Sequence, residues 1–299
     1  MIDSKGLAAF TAIVSQRSFE RAAIQLCITQ SAVSQRLKSL EEQLGQSLLI
    51  RSPQIKTTAA GQSLLKYANS LQLIERSLMN DLAPRTQSQW LKIAIATNAD
   101  TLATWLLSAL APWCSANKVL LDLKVDDQDQ THQLLRNGEV IGCISSIEQA
   151  FQGCSTTPLG ALEYHCIASD EFIKQYFAKG VTRDAFKKAP MVVFNYKDQL
   201  QHEYLERFFN LNSRQQLQHF IPSSEGYIEW IMRSMGFGMA PKLQIQRYLD
   251  SGELRLLTPE QSIKVPLYWQ HWGINTDISR SLAHQIEHCP ALAHQTETD

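Results

Sequence analysis

No stretch of this 299-residue chain approaches the ~18 consecutive apolar residues of a membrane-spanning helix, which excludes such a span. The N-terminus, MIDSKGLAAFTAIVSQRSFERAA, lacks the basic start and unbroken apolar core of a secretory signal. The chain is therefore expected in the bacterial cytoplasm. Cysteine is sparse, and the six residues (Cys27, Cys114, Cys143, Cys154, Cys166 and Cys289) show no CxxC and no regular spacing. Free thiols, several of them in the core, are the simplest expectation in a reducing compartment. No GxGxxG, Walker or nucleophile-elbow pattern occurs. Charge is balanced: 28 Lys and Arg against 29 Asp and Glu leave a net −1, so overall charge carries no argument for a nucleic-acid partner.

What is present is organised around residues 18–44, SFERAAIQLCITQSAVSQRLKSLEEQL. Phe19, Ala22, Ala23 and Leu26 recur at helical spacing after Ser18, which is placed to cap them. Cys27 and Ile28 carry a turn. Thr29 caps a second helix whose apolar positions, Val33, Leu37, Leu40 and Leu44, make one predicted buried stripe. The opposite face shows Gln30, Ser34, Gln35 and Lys38, flanked by Ser31 and Arg36. Amides bond adenine edges in two places, hydroxyls adapt to several bases, and cations reach phosphate or guanine. A plain amphipathic helix pair with a solvated face fits the same spacing. The charge is also uneven: residues 1–82 carry nine Lys and Arg against six Asp and Glu, +3, which leaves −4 for the remainder.

The detail of the stretch resembles the N-terminal winged helix-turn-helix of LysR-type transcriptional regulators. The match runs through Ala22-Ala23, Thr29-Gln30-Ser31-Ala32-Val33-Ser34, Leu40-Glu41, Leu44-Gly45 and Leu48-Leu49-Ile50-Arg51 to Thr57-Thr58-Ala59-Ala60-Gly61. The resemblance implies a DNA-binding head over 1–58 that touches promoter DNA through Arg17, Ser18, Arg21, Thr29, Gln30, Ser31, Ser34, Gln35, Lys38, Arg51 and Pro53. Arg51 is expected in the flanking minor groove, where a narrow A·T tract concentrates negative potential. A phosphate clamp is its plainer role. Residues 58–82 read as one long helix with Leu64, Ala68, Leu71, Leu78 and Leu82 in four- and three-residue steps. In the family such a helix, with a hinge near Pro84 to Gln89, forms a linker over 59–89 and pairs with its twin. Dimers or tetramers, and contact with RNA polymerase on the nucleoid, follow from the resemblance.

From Trp90 onward strands alternate with helices, which means a mainly parallel sheet covered on both faces. The pattern repeats, so two similar lobes are expected, about 90–161 with 267–299 and about 162–266, crossing near Leu162 and Pro266. The fold class is thus α plus α/β: a winged helix-turn-helix, a linker helix and a two-lobed, periplasmic-binding-protein-like effector domain over 90–299. NADTLATWLLSALAP, VDDQ, LRNGEVIGCIS, LGALEYHCIAS, KGVTRDAFKKAP, SSEGYI, KLQIQRYLDSGEL and LYWQHW resemble one branch of the family, the lysine- and arginine-responsive regulators. That resemblance implies a basic amino acid as effector and control of amino-acid transport or metabolism genes. A different small molecule is the alternative.

The residues suit such a ligand. Thr97, Asn98, Ala99, Asp100 and Thr101 join the first body strand to its helix, where exposed N–H groups hold a carboxylate. Asp126 and Asp127 follow the second strand, Ser145 and Ser146 the third, and Ser223, Ser224 and Glu225 open a helix of the second lobe. Two cations on one ligand need two negative partners, and Asp100 with Asp126 or Asp127 supplies them. Each of these residues is also an ordinary helix cap or turn residue. His284-Gln285-Ile286-Glu287-His288 has the H-x-x-E-H spacing of a zinc peptidase, but the surrounding sequence matches the regulator's closing helix, and only Glu297 and Asp299 follow as acids. A transport solute-binding protein would not carry a DNA head. No catalytic residue, metal or cofactor is expected.

Overall fold

The computed structural model describes residues 2–51, 53–82, 90–126, 128–213 and 216–293. The predicted hinge from Pro84 to Gln89, Ser52, Asp127 and the tail with Glu297 and Asp299 lie outside them. Three helices, α1 (Ser4–Gln16), α2 (Phe19–Gln25) and α3 (Gln30–Leu44), bury Phe10, Ile13, Ala22, Val33, Leu37 and Leu40 in one small core. Leu44 departs from the predicted stripe. It is exposed, because Gly45, in the left-handed region at φ 66°, ends α3 there and turns the chain away. A two-stranded wing follows, β1 (Leu49–Ile50) antiparallel to β2 (Lys56–Thr57).

The long helix α4 (Ala59–Leu82) serves three sides. Leu64, Leu65 and Ala68 are buried in the head core, and Leu71 packs partly against it. Leu73, only 2% exposed, belongs instead to the large core of the body. On that side Asn69 Nδ2 donates to the Gly138 carbonyl at 2.7 Å, and Lys66 Nζ lies 4.3 Å from the centre of the Trp272 ring. The third side shows Tyr67, Ile74, Leu78, Met79 and Leu82 to solvent. The predicted single seam is therefore split. Leu64, Ala68 and Leu71 turn to the head, while Leu78 and Leu82 stay open.

In the body, β3 (Leu91–Thr97) is followed by α5 (Ala99–Thr101), a π-helical turn over Leu102–Leu106 and α6 (Leu107–Asn117). Then come β4 (Val119–Val125), α7 (Gln128–Arg136), β5 (Gly142–Ser145) and the long β6 (Cys154–Ala168). The second lobe holds α8 (Asp170–Tyr176), α9 (Arg183–Lys188), β7 (Met191–Val193), α10 (Leu200–Phe209), β8 (Gln218–Phe220), α11 (Ser224–Met232), β9 (Gly238–Pro241), α12 (Lys242–Ser251) and β10 (Arg255–Leu256). The chain returns through β11 (Ser262–Trp272) to α13 (Asp277–Glu287) and α14 (Pro290–Ala293).

Strand order is β10-β6-β11-β5-β3-β4, with β9 also on β6. The first-lobe pairs β3–β4 and β3–β5 are parallel, and so is β7–β8. The long strands β6 and β11 run antiparallel through both lobes, with Val265 opposite Leu162 and Pro266 opposite Ala161. Leu162 and Pro266, the positions expected for the crossings, lie within these two strands. The crossings are continuous strands rather than loops, so the lobes share one sheet.

Gly138 stops α7 at φ 73°, and a Cβ there would sit 2.5 Å from Lys66 Cγ and 3.0 Å from Lys66 N. Gly138→Ala is therefore expected to cost at least about 1 kcal/mol and to loosen α4 from the body. Thermal unfolding and limited proteolysis would show this as a lower midpoint and faster cleavage within α4; an unchanged pattern would mean the junction tolerates a methyl group.

Candidate functional site

The head is set by short-range bonds. Ser18 Oγ accepts the Arg21 N–H at 3.3 Å and Thr29 Oγ1 accepts the Ala32 N–H at 3.2 Å, so both predicted caps form. Cys27, at φ 53°, turns the chain between α2 and α3. With Val33, Leu37 and Leu40 packed inward, α3 presents Gln30, Ser31, Gln35 and Lys38 to solvent, and Ser34 is half-buried beside them. Lys38 Nζ lies 3.7 Å from Glu42 on the open surface, a weak pair that phosphate can displace. Arg51 leaves the wing with Nη2 3.7 Å from Glu41 Oε2 and its guanidinium carbon 5.5 Å from the Phe19 ring centre. Glu41 is itself fixed, because its Oε1 accepts the Leu48 N–H at 2.8 Å. Arg17, Arg21 and Pro53 are exposed on the same small domain.

In the body a cleft of about 690 Å³ opens where β3 and β4 end and where α10, α11 and α12 begin. Asn98 caps α5 by accepting the Thr101 N–H at 2.7 Å, which sets Asp100 on the first turn. The Asp100 carboxylate is tied on both oxygens. Ser224 Oγ donates to Oδ1 at 2.8 Å and Tyr164 OH donates to Oδ2 at 2.8 Å. These bonds join the first lobe (Asp100), a crossing strand (Tyr164) and the second lobe (Ser224). Burial raises the Asp100 pKa above the usual 3.8, against the two hydrogen bonds that lower it; the charges of Asp198 and Glu225 push it further up. The cleft is also lined by Asp126, Asp198 and Glu203, and by the apolar Phe194, Leu200, Met239 and Val265. Lysine 197 is the cation among the described lining residues.

A three-helix head with a two-stranded wing, joined by a long helix to an α/β body with its cleft at strand ends, is the arrangement of one regulator family. Residues 4–62 match the bacterial regulatory helix-turn-helix proteins of the lysR family, and residues 86–288 match the LysR substrate binding domain. The chain belongs to the LysR family. This LysR regulator is 41% identical over 285 residues to the HTH-type transcriptional regulator ArgP of Photobacterium profundum, covering 95% of this chain and 96% of that one. Among solved structures it resembles ArgP from Mycobacterium tuberculosis, with 33% identity, a TM-score of 0.81, and 96% and 97% of the two chains covered. It also resembles full-length LysG from Corynebacterium glutamicum with bound effector Arg, at 30% identity and TM-score 0.72, covering 97% of each chain. The LysR family acts by binding DNA under the control of a small effector and not by catalysis.

Of the effector residues named from the sequence, the LysR cleft brings together Asn98, Ala99, Asp100, Asp126 and Ser224. The other described ones lie elsewhere. Thr97 and Thr101 are buried beneath the loop. Ser145 is buried and accepts the Ile147 N–H at 3.1 Å, so it shapes a turn, with Ser146 half-buried after it. Ser223 caps α11 by accepting the Gly226 N–H at 3.1 Å, and Glu225 points to solvent near it. Tyr164, Asp198, Gln201 and Tyr227 were not singled out in the sequence. The tyrosines read there as core strand and helix residues, and Asp198 fell in an expected strand-to-helix loop. His284 and His288 stack with ring centres 4.1 Å apart, and His288 Nδ1 is 3.0 Å from the His284 carbonyl. Among the described residues no group of three or more His, Cys, Asp or Glu is placed to hold a metal.

Proposed function

We propose that this LysR regulator answers to L-lysine or L-arginine in the cleft between its lobes and controls amino-acid transport or metabolism genes. One observation carries the reading: Asp100, tied between the lobes, sits with Asp126 in a cleft whose lining is predominantly acidic and apolar. An α-ammonium and a side-chain cation suit such a lining, and the N-terminal turn of α5 faces the carboxylate. The ArgP relatives, and LysG with its bound effector Arg, support the choice of ligand. Calorimetric titration of the full chain tests it. Lysine or arginine should bind at least about tenfold more tightly than norleucine, because the uncharged side chain leaves a second carboxylate of the cleft without a counter-charge. Equal affinities would remove the basic-amino-acid reading and leave the regulator intact.

The division into a DNA-binding head at 1–58, a linker at 59–89 and an effector domain at 90–299 belongs to the same proposal. So do a dimer or tetramer built on the open side of α4, a place on the bacterial nucleoid in the cytoplasm, and RNA polymerase as neighbour at the promoter. Two heads fit the two halves of a roughly palindromic site. Gln30→Ala and Gln35→Ala are each expected to cost about 1–3 kcal/mol at the cognate operator and to relax base choice there. Arg51→Ala should weaken binding and flatten its salt dependence. Competition of operator against random DNA measures both effects. A double glutamine variant with the wild-type ratio would show that α3 does not read the bases.

A further inference from the structure

Asp198 lies in the second lobe, just ahead of α10, and its carboxylate is held from three directions. Its Oδ2 accepts the Phe194 N–H at 3.2 Å and its Oδ1 accepts the Leu200 N–H at 3.0 Å. Gln201 is buried, and one orientation of its amide satisfies both ends. The NH2 then donates to Asp198 at 3.0 and 3.2 Å, and the oxygen accepts the Tyr227 hydroxyl at 2.8 Å. Tyr227 OH in turn accepts the Met239 N–H at 3.0 Å, which anchors this chain of bonds to β9. The result is an anion fixed by backbone and by a buried amide, facing the cleft. Asp126, by contrast, is exposed at the rim. A charge held in one place discriminates well between ligands, because little ordering is needed when the ligand arrives.

The two fixed carboxylates come from opposite lobes. Asp100 is clamped by Tyr164 and Ser224, and Asp198 by Phe194, Leu200 and Gln201. Both line the same cleft, with Tyr164 and Tyr227 between the two lobes' walls. Two anions confined in one cleft repel each other, and a ligand carrying two cations relieves that repulsion. A singly charged ligand relieves only part of it.

We infer that Asp198 is the specificity-determining residue of the cleft: it pairs with the side-chain cation of the effector, while Asp100 takes the α-ammonium. This rests on the basic-amino-acid reading above and adds which carboxylate selects for the second charge. The lining residues Phe194, Leu200 and Met239 supply apolar surface for the intervening methylenes.

The test is calorimetry on the full chain with L-lysine, L-arginine, L-norleucine and L-citrulline. Two variants remove the charge in different ways. Asp198→Asn keeps the shape. Asp198→Ser keeps a hydroxyl that can accept the Leu200 N–H and so preserves the start of α10. Asp126→Asn is the comparison. Both Asp198 variants should lose about tenfold or more in affinity for lysine and arginine and hold norleucine and citrulline as well as wild type or better. The preference for charge should then largely vanish, and by more than in Asp126→Asn. A wild-type lysine-to-norleucine ratio in both Asp198 variants would overturn the assignment, and so would equal loss of charged and neutral ligands, which marks a structural role. If the ratio collapses only in Asp126→Asn, the selecting charge is at the rim. A wild type with no preference at all brings down the ligand reading itself, a different result from any of these.

Discussion

Asp100→Asn is expected to weaken lysine and arginine binding by about ten- to a hundredfold, the roughly 1.5–3 kcal/mol of a charge-assisted hydrogen bond. The same change should raise the stability of the ligand-free protein. Burial lifts the Asp100 pKa in the folded chain above its ordinary 3.8. Between those two values the folded chain holds a proton that the unfolded chain has released. Stability therefore falls as pH rises through that window, and ionising Asp100 in the folded chain carries a penalty that is absent from the unfolded chain. Asparagine removes this penalty and can still meet Tyr164 and Ser224, whose hydroxyls rotate to suit it. Thermal unfolding at pH 7, with and without lysine, separates the two effects. The variant should melt higher alone and gain less from ligand. A variant that melts lower alone and responds fully to lysine would show that the carboxylate holds the lobes and nothing more.

The second large effect concerns α4. Ile74→Glu with Leu78→Glu should give monomers by light scattering, and with them a loss of operator affinity on the order of a hundredfold or more, the gain that comes from linking two heads. Both side chains are open in the single chain, at 52% and 51% exposure, so the charges do not disturb its own core. Leu71 is the wrong residue for this test, because it packs partly against the head and a glutamate there would damage the domain itself. An unchanged oligomer mass would locate the subunit contact in the body.

Much of this architecture is legible from the sequence, for particular reasons. Ser18 and Thr29 cap with their own side chains, so the two helix starts depend on local chemistry alone. The strand ends that carry Asp100 and Asp126 follow from apolar runs that stop. Three things escape. The stretch from Met191 to Tyr196 reads as one strand, yet β7 stops at Val193 because Asn195 Oδ1 accepts the N–H groups of Lys197 and Asp198 and folds the chain back. That turn delivers Asp198 to the cleft. Ser223 and Ser224 are neighbours of the same kind, and only the phase of α11 decides that the first caps while the second reaches Asp100. The apolar period of α4 is one-dimensional and cannot say that its residues serve different partners.

The clamping of α4 to the body bears on where the chain can be divided. Leu73 lines one small cavity together with Ile141, Trp269 and Trp272, and Arg76 reaches the Asn117 carbonyl at 3.5 Å. A fragment trimmed to start after the linker would uncover those indoles and leave an apolar trough along α13. Such a fragment would be prone to self-association through that trough, and ligand affinities measured on it would mix effector binding with assembly. The helix that carries the head is, for the body, a wall.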